Sequence, residues 1–129
     1  MPTHDHVSRS IVLPVPPEDA WDALTRPDEL AEWLADEVVC DDDLEEGSEA
    51  LLRWDDGQER VAVVESADEP RRLTFRWRAD GTDDETLVEF TLVELPHGTL
   101  LTVVESGFAA LPAGWGPRLA AHTGALLRA

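Results

Sequence analysis

Lysine is absent from this 129-residue chain: all ten basic residues are arginine, against 28 Asp and Glu, for a formal net charge of −18. Nucleic acids and anionic membranes are held through clusters of Lys and Arg that neutralise phosphate. A field of the opposite sign argues against both as partners. Cysteine occurs once, so no disulfide can form within the chain, and Cys40 is expected to be a buried structural thiol. No run approaches the roughly 18 apolar residues of a membrane span. The first ten residues, MPTHDHVSRS, lack the apolar stretch of a secretory signal, so a reduced cytoplasmic protein is expected. Also missing are a Ser-centred nucleophile elbow, a phosphate-cradling Gly loop and paired Cys motifs. No cofactor is expected.

What is present suffices for one domain, 1–129, with residues 1–6 frayed. Hydrophobic residues make up 43% of the chain, enough to fill a core despite the charge. Two sources of the acid excess stay open. One is adaptation to high salt, where dense carboxylates hold water and ions screen their repulsion. The other is a GC-rich genome, since lysine codons are AT-rich.

Val7 to Val15 reads as a strand ending at Pro14 and Pro16. Pro17 then opens a short helix with Glu18 and Asp19 at its positive end and Ala20, Trp21 and Leu24 inside. Pro27 breaks it, Thr25 or Asp28 caps the next, and Leu30, Trp33 and Leu34 form the second apolar face. Strands follow at 37–40, 50–54, 60–65, 73–78, 86–95 and 99–105, separated by turn residues such as Asp55-Asp56-Gly57 and Pro96-His97-Gly98. Alternation puts Leu73, Phe75 and Trp77 on one face and Arg76 and Arg78 on the other, solvated one. Trp115, Leu119, His122 and Leu126 form one stripe of a final helix, weakened by glycines including Gly124. The class is α+β, with helices on one face of a curved sheet.

The runs PPEDAWDALTRPDELAEWL at 16–34, DEPRRLTFRW at 68–77, VEFTL at 88–92 and TVVESGF at 102–108, followed by Gly114-Trp115, occur in that order. With these residues the chain resembles the Bet v 1-like, START-related (SRPBCC) superfamily. Within it, the chain is similar to the family of the activator of Hsp90 ATPase C-terminal domain. The resemblance covers about residues 7–128. It implies a helix-grip fold: a curved antiparallel sheet of about six to seven strands, two short helices near the N-terminus, and a C-terminal helix packed across the concave face. It also implies a cavity between sheet and helix, while the activity stays open, because a fold does not settle function.

The candidate ligand-binding residues follow from strand parity and the helical stripe. Phe75, Trp77, Phe90, Leu92, Leu101 and Val103 form the walls, with Trp115, Leu119 and His122 on the helix and Trp33 and Trp54 at the mouth. The competing reading is that these residues fill the space themselves as core. Glu105 shares parity with Leu101 and Val103, and His122 shares the stripe of Leu119. A buried carboxylate beside an imidazole is either a structural pair, a ligand anchor or a general acid–base couple. Arg53, between Leu52 and Trp54, is long enough to reach the cavity rim, but nothing in the sequence establishes that it does. The acidic run Asp41-Asp42-Asp43 with Glu45-Glu46 lacks the spacing and central Gly of a calcium loop and reads as a solvated charge run. His4 and His6 have no third ligand nearby, so no metal is expected. Three functions remain: binding of a hydrophobic or aromatic small molecule, docking of a protein partner such as an Hsp90-like chaperone, or catalysis in the cavity by Glu105 and His122. A monomer and a homodimer are both compatible.

Overall fold

The computed structural model describes residues 6–79, 85–106 and 119–120. Strand β1 (His6–Leu13) leads into helices α1 (Pro17–Thr25) and α2 (Pro27–Trp33). Strands β2 (Glu37–Val39), β3 (Glu49–Arg53), β4 (Glu59–Asp68), β5 (Arg72–Ala79), β6 (Glu85–Leu95) and β7 (Gly98–Ser106) follow. They form one antiparallel sheet of seven strands in the order β1-β7-β6-β5-β4-β3-β2. From β2 to β7 each strand pairs with the next along the chain, and β1 returns to lie against β7. The α+β architecture and its curved sheet are those the alternating pattern predicts.

One strand departs from the pattern. β4 runs on to Asp68, three residues past its expected end, because a bulge lets it keep pairing with β5. Val64 faces Phe75 across the ladder, but the next pair is Ser66 with Thr74, so Glu65 is the extra residue. A bulge bends its strand and increases the local twist, which curves the sheet. It also reverses parity: Ala62 and Val64 turn inward before it, and Ala67 after it.

The two helices start as their prolines dictate, though not as the cap residues suggest. Pro17 and Pro27 occupy the first helical positions, where their missing N–H groups cost nothing, and acidic pairs fill both first turns. Neither helix has a side-chain N-cap. Thr25 is not the expected cap, because its hydroxyl donates back to the Trp21 carbonyl at 2.9 Å. Asp28 lies inside the second helix, whose cap position is Arg26, held extended by the proline that follows.

The opposite ends of the helices are tied by indoles. The last carbonyls of a helix have no partner within it. Trp33 Nε1 donates to the Ala23 carbonyl at 2.8 Å, and Trp54 Nε1 donates to the Leu34 carbonyl at 3.0 Å. The Leu44 N–H closes the end of α1 by donating to the Thr25 carbonyl at 2.7 Å. Short helices are marginal alone, and here they are held by side chains from elements further along the chain.

The core lies between the helices and the concave face of the sheet, with Leu13, Leu24, Trp33, Leu73, Trp77, Phe90 and Leu101 among its most deeply buried side chains. The expected C-terminal helix lies outside the described residues except for Leu119 and Ala120. Leu119 is fully buried in the same core. The convex face is charged, as expected for Arg76 and Arg78, and Arg76 pairs with Glu65 and Glu85, Arg72 with Glu89. Arg53 sits on the outer side at the β2–β3–β4 edge, between Glu37 at 3.3 Å and Glu59 at 2.9 Å. It is therefore no part of a cavity rim. Cys40 is half-buried and packs on the core.

Candidate functional site

The inner face of β5, β6 and β7 brings together seven of the predicted lining residues: Phe75, Trp77, Phe90, Leu92, Leu101, Val103 and Glu105 are all buried. Their rings form a continuous aromatic run. Phe75 meets Trp77 edge-on, with centroids 5.4 Å apart, and tilts against Phe90 at 5.8 Å. Trp54 stands edge-on to Trp77 at 6.3 Å. These are favourable offset and T-shaped contacts.

Trp33 is placed differently from its predicted position at a mouth. It is 0% exposed, edge-on to Phe90 at 6.4 Å, because its indole N–H must reach the end of α1. It belongs to the core between helices and sheet. Trp54 is half-buried, with its N–H committed to Leu34 and its ring covering Trp77. Leu119 is in the core; Trp115 and His122 lie outside the described residues, and with them the expected Glu105–His122 pair.

The polar group at the end of the aromatic run is built from residues on four strands. Glu105 is 2% exposed. Its Oε2 accepts two hydrogen bonds, from Trp77 Nε1 at 3.0 Å and from Thr86 Oγ1 at 2.9 Å. Its Oε1 is buried with no hydrogen-bond partner among the described residues. Arg60 reaches in from β4 and lays its guanidinium over the Trp77 ring, 4.4 Å from the centroid, with the Trp54 ring at 6.0 Å. Its Nη1 is also buried and has no hydrogen-bond partner among the described residues. Burial pushes the Arg60 pKa down and the Glu105 charge opposes this, so the two groups sense one another's field. A guanidinium remains protonated in either case.

Buried polar atoms are nearly always satisfied, and leaving one unmade costs about 1–3 kcal/mol. Among the described residues three such atoms occur: Thr74 Oγ1, and two of opposite polarity near Trp77, the acceptor Glu105 Oε1 and the donor Arg60 Nη1. Alternation identified Glu105, but Arg60 and Thr86 escaped the sequence reading. The signal was there: Arg60 is in step with Ala62 and Val64, and Thr86 with Val88 and Phe90. A charged residue at the start of a strand reads as solvent-facing unless an aromatic partner across the sheet is known.

Three open grooves also mark the surface. One, of about 500 Å³, lies between α1 and the acidic loop and is lined by Trp21, Asp22, Asp43, Glu45, Glu46 and Glu69. Burial there raises the Asp22 pKa, with Arg26 opposing. A second, of about 530 Å³, is lined by Pro27, Asp28 and the run Asp41, Asp42 and Asp43. A third, of about 610 Å³, passes Pro17, Pro70, Arg71 and Val93, and Leu92 is the single predicted lining residue on any of the three. Among the described residues no cluster of His, Cys, Asp and Glu is arranged to hold a metal ion. No helix among them is long and apolar enough to cross a membrane.

Comparison with solved structures gives the same fold. DynU16, a protein of the dynemicin biosynthetic locus, shares 25% identity at a TM-score of 0.75, covering 98% of this chain and 48% of its own. The chain thus spans about half the length of that relative. MLL2253 from Mesorhizobium loti shares 26% identity at a TM-score of 0.76 and is matched over 96% of its length by 95% of this chain. CalU16 from Micromonospora echinospora shares 27% identity at a TM-score of 0.66, covering 81% of this chain and 53% of its own. No curated protein matches significantly. The family model of activator of Hsp90 ATPase homolog 1-like proteins matches residues 14–124. With its curved seven-stranded sheet and paired N-terminal helices, the chain belongs to the family of activator of Hsp90 ATPase homolog 1-like proteins.

Proposed function

We propose that this protein binds a hydrophobic or aromatic small molecule against the concave face of the sheet, anchored at the Glu105–Arg60 end. The observation that carries the reading is the pair of buried, unmatched polar atoms, Glu105 Oε1 and Arg60 Nη1, at the end of an aromatic wall. Buried polar atoms without a partner are few in native cores, and these two, unlike Thr74 Oγ1, combine an acceptor with a donor beside one indole. An apolar wall with a few convergent polar groups is the usual make-up of a small-molecule site. The relation to a protein of the dynemicin biosynthetic locus supports a small organic ligand. The test uses Nile red, a neutral apolar dye, with the full chain. Saturable uptake near one dye per chain, accompanied by quenching of the indoles, is the expected result. Absence of saturable uptake up to the solubility of the dye refutes the reading.

A second reading rests on the family description. A surface of net charge −18 suits a basic protein partner, and an Hsp90-type chaperone is the one the family description suggests. It competes with the first reading only if a chaperone's ATPase is stimulated by the protein.

A further inference from the structure

We infer that the site selects a neutral hydroxyl group, of the kind a phenol or enol presents, over an anion or a cation on the same apolar body. This rests on the ligand-binding reading above and specifies its polar end. A ligand group must satisfy one acceptor and one donor together. Glu105 Oε1 can only accept, and Arg60 Nη1 can only donate. A hydroxyl does both, donating its hydrogen to Oε1 and accepting from Nη1 through its oxygen.

A carboxylate at Glu105 and the guanidinium of Arg60 carry opposite charges, so the fixed charges at the site offset one another. A carboxylate ligand meets Arg60 favourably but faces an oxygen of Glu105 that has no proton to give. An ammonium ligand suits Glu105 and faces a guanidinium with no lone pair. Either one buries a net charge, which costs far more than burying a neutral hydroxyl. An ether keeps the acceptor and loses the donor, so Oε1 stays unmatched. Selection arises because the site's own buried groups are left unpaired by the wrong ligand.

Neither partner is free to turn away. Oε2 is pinned by Trp77 and Thr86, which orients the carboxylate and leaves the buried Oε1 as the unmatched acceptor. The Arg60 plane lies on Trp77, the ring whose N–H holds Glu105. The indole thus sets both halves of the anchor.

The experiment displaces Nile red at neutral pH with four probes of one skeleton: 1-naphthol, 1-methoxynaphthalene, 1-naphthoate and 1-naphthylmethylamine. The expected result is naphthol displacing roughly tenfold more effectively than each of the others, the size of one charge-assisted hydrogen bond. Equal displacement by naphthol and its methyl ether overturns the hydroxyl assignment and leaves the ligand reading standing. Absence of Nile red uptake overturns both.

Glu105→Gln adds a sharper arm. The amide oxygen replaces Oε2 as acceptor for Trp77 and Thr86, and the NH2 replaces Oε1 as a donor. The anchor then presents two donors, and the order is expected to reverse in favour of naphthoate. Naphthol remaining the preferred probe in a folded Glu105→Gln protein overturns the role of Oε1. If that variant does not fold, Arg60→Met removes the donor instead, and its naphthol-to-ether ratio is expected to fall toward one; an unchanged ratio overturns the role of Nη1.

Discussion

At the scale of single residues, indole nitrogens organise this molecule. Trp33 closes the end of α1 on Ala23, Trp54 closes the end of α2 on Leu34, and Trp77 holds Glu105. Each tryptophan combines a large ring with one donor, and each donor reaches an oxygen: two helix-end carbonyls and the Glu105 carboxylate, which Thr86 also holds. Trp33→Phe keeps an aromatic ring facing Phe90 but removes the N–H and part of the indole volume. It is expected to cost about 1–3 kcal/mol, the penalty of an unpaired buried carbonyl. Trp33→Ala also empties the ring volume and is expected to cost about 3–5 kcal/mol. Urea unfolding of both variants measures the difference, and wild-type stability in Trp33→Phe would remove the helix-closing role. Alternation over 101–105 made Glu105 legible as an inward residue. Arg60 shares the inward parity of Ala62 and Val64, but a charged residue at a strand's start reads as solvent-facing until the Trp77 face that supports it is known.

At the scale of elements, the joints decide the shape. β1 leaves the sheet at Leu13, where the chain must clear the start of β7. Gly98 makes this possible: a Cβ there would lie 2.2 Å from the Leu13 carbonyl oxygen, with backbone rather than a flexible side chain in the way. Thr99 beside it donates its hydroxyl to the Val15 carbonyl at 2.7 Å, fixing the corner into α1. Gly98→Ala is therefore expected to lower stability by about 1–3 kcal/mol, in the range of an overpacked core. An unfolding midpoint unmoved by that change would show that the corner yields easily. The hairpin residues Pro96, His97 and Gly98 advertise a turn in the sequence, but the partner that makes glycine necessary lies more than 80 residues away. The bulge at Glu65 is silent in sequence for the same reason: it is a relation between β4 and β5.

At the scale of the whole molecule, charge is the unusual quantity. Arginines on the convex face are spent in pairs with Glu37, Glu59, Glu65, Glu85 and Glu89, so the surplus carboxylates gather elsewhere. Two of the surface grooves are lined largely by them, from Asp22 and Asp28 to Asp43, Glu45 and Glu46. Mutual repulsion among like charges opposes the compact state, and salt screens it over about 10 Å at 0.1 M. The thermal midpoint is expected to rise from low salt to molar KCl. A flat midpoint would show that the carboxylate excess does not limit stability, and would favour the codon-usage origin over salt adaptation.

The sequence by itself determined the fold class, the strand order of the meander and most of the inner face. These follow from local chemistry: alternation sets which side chains point inward, proline sets where a helix can begin, and Asp-Gly turns set where a hairpin reverses. Only the tertiary structure decided that Trp33 is core rather than mouth, that Thr25 bonds within its own helix, and that Arg60 and Thr86 join Glu105. Each of those depends on which distant groups come into reach once the sheet curves. A pattern can say that a carboxylate faces inward. It takes the folded chain to show that one of its oxygens is held by two donors while the other has none.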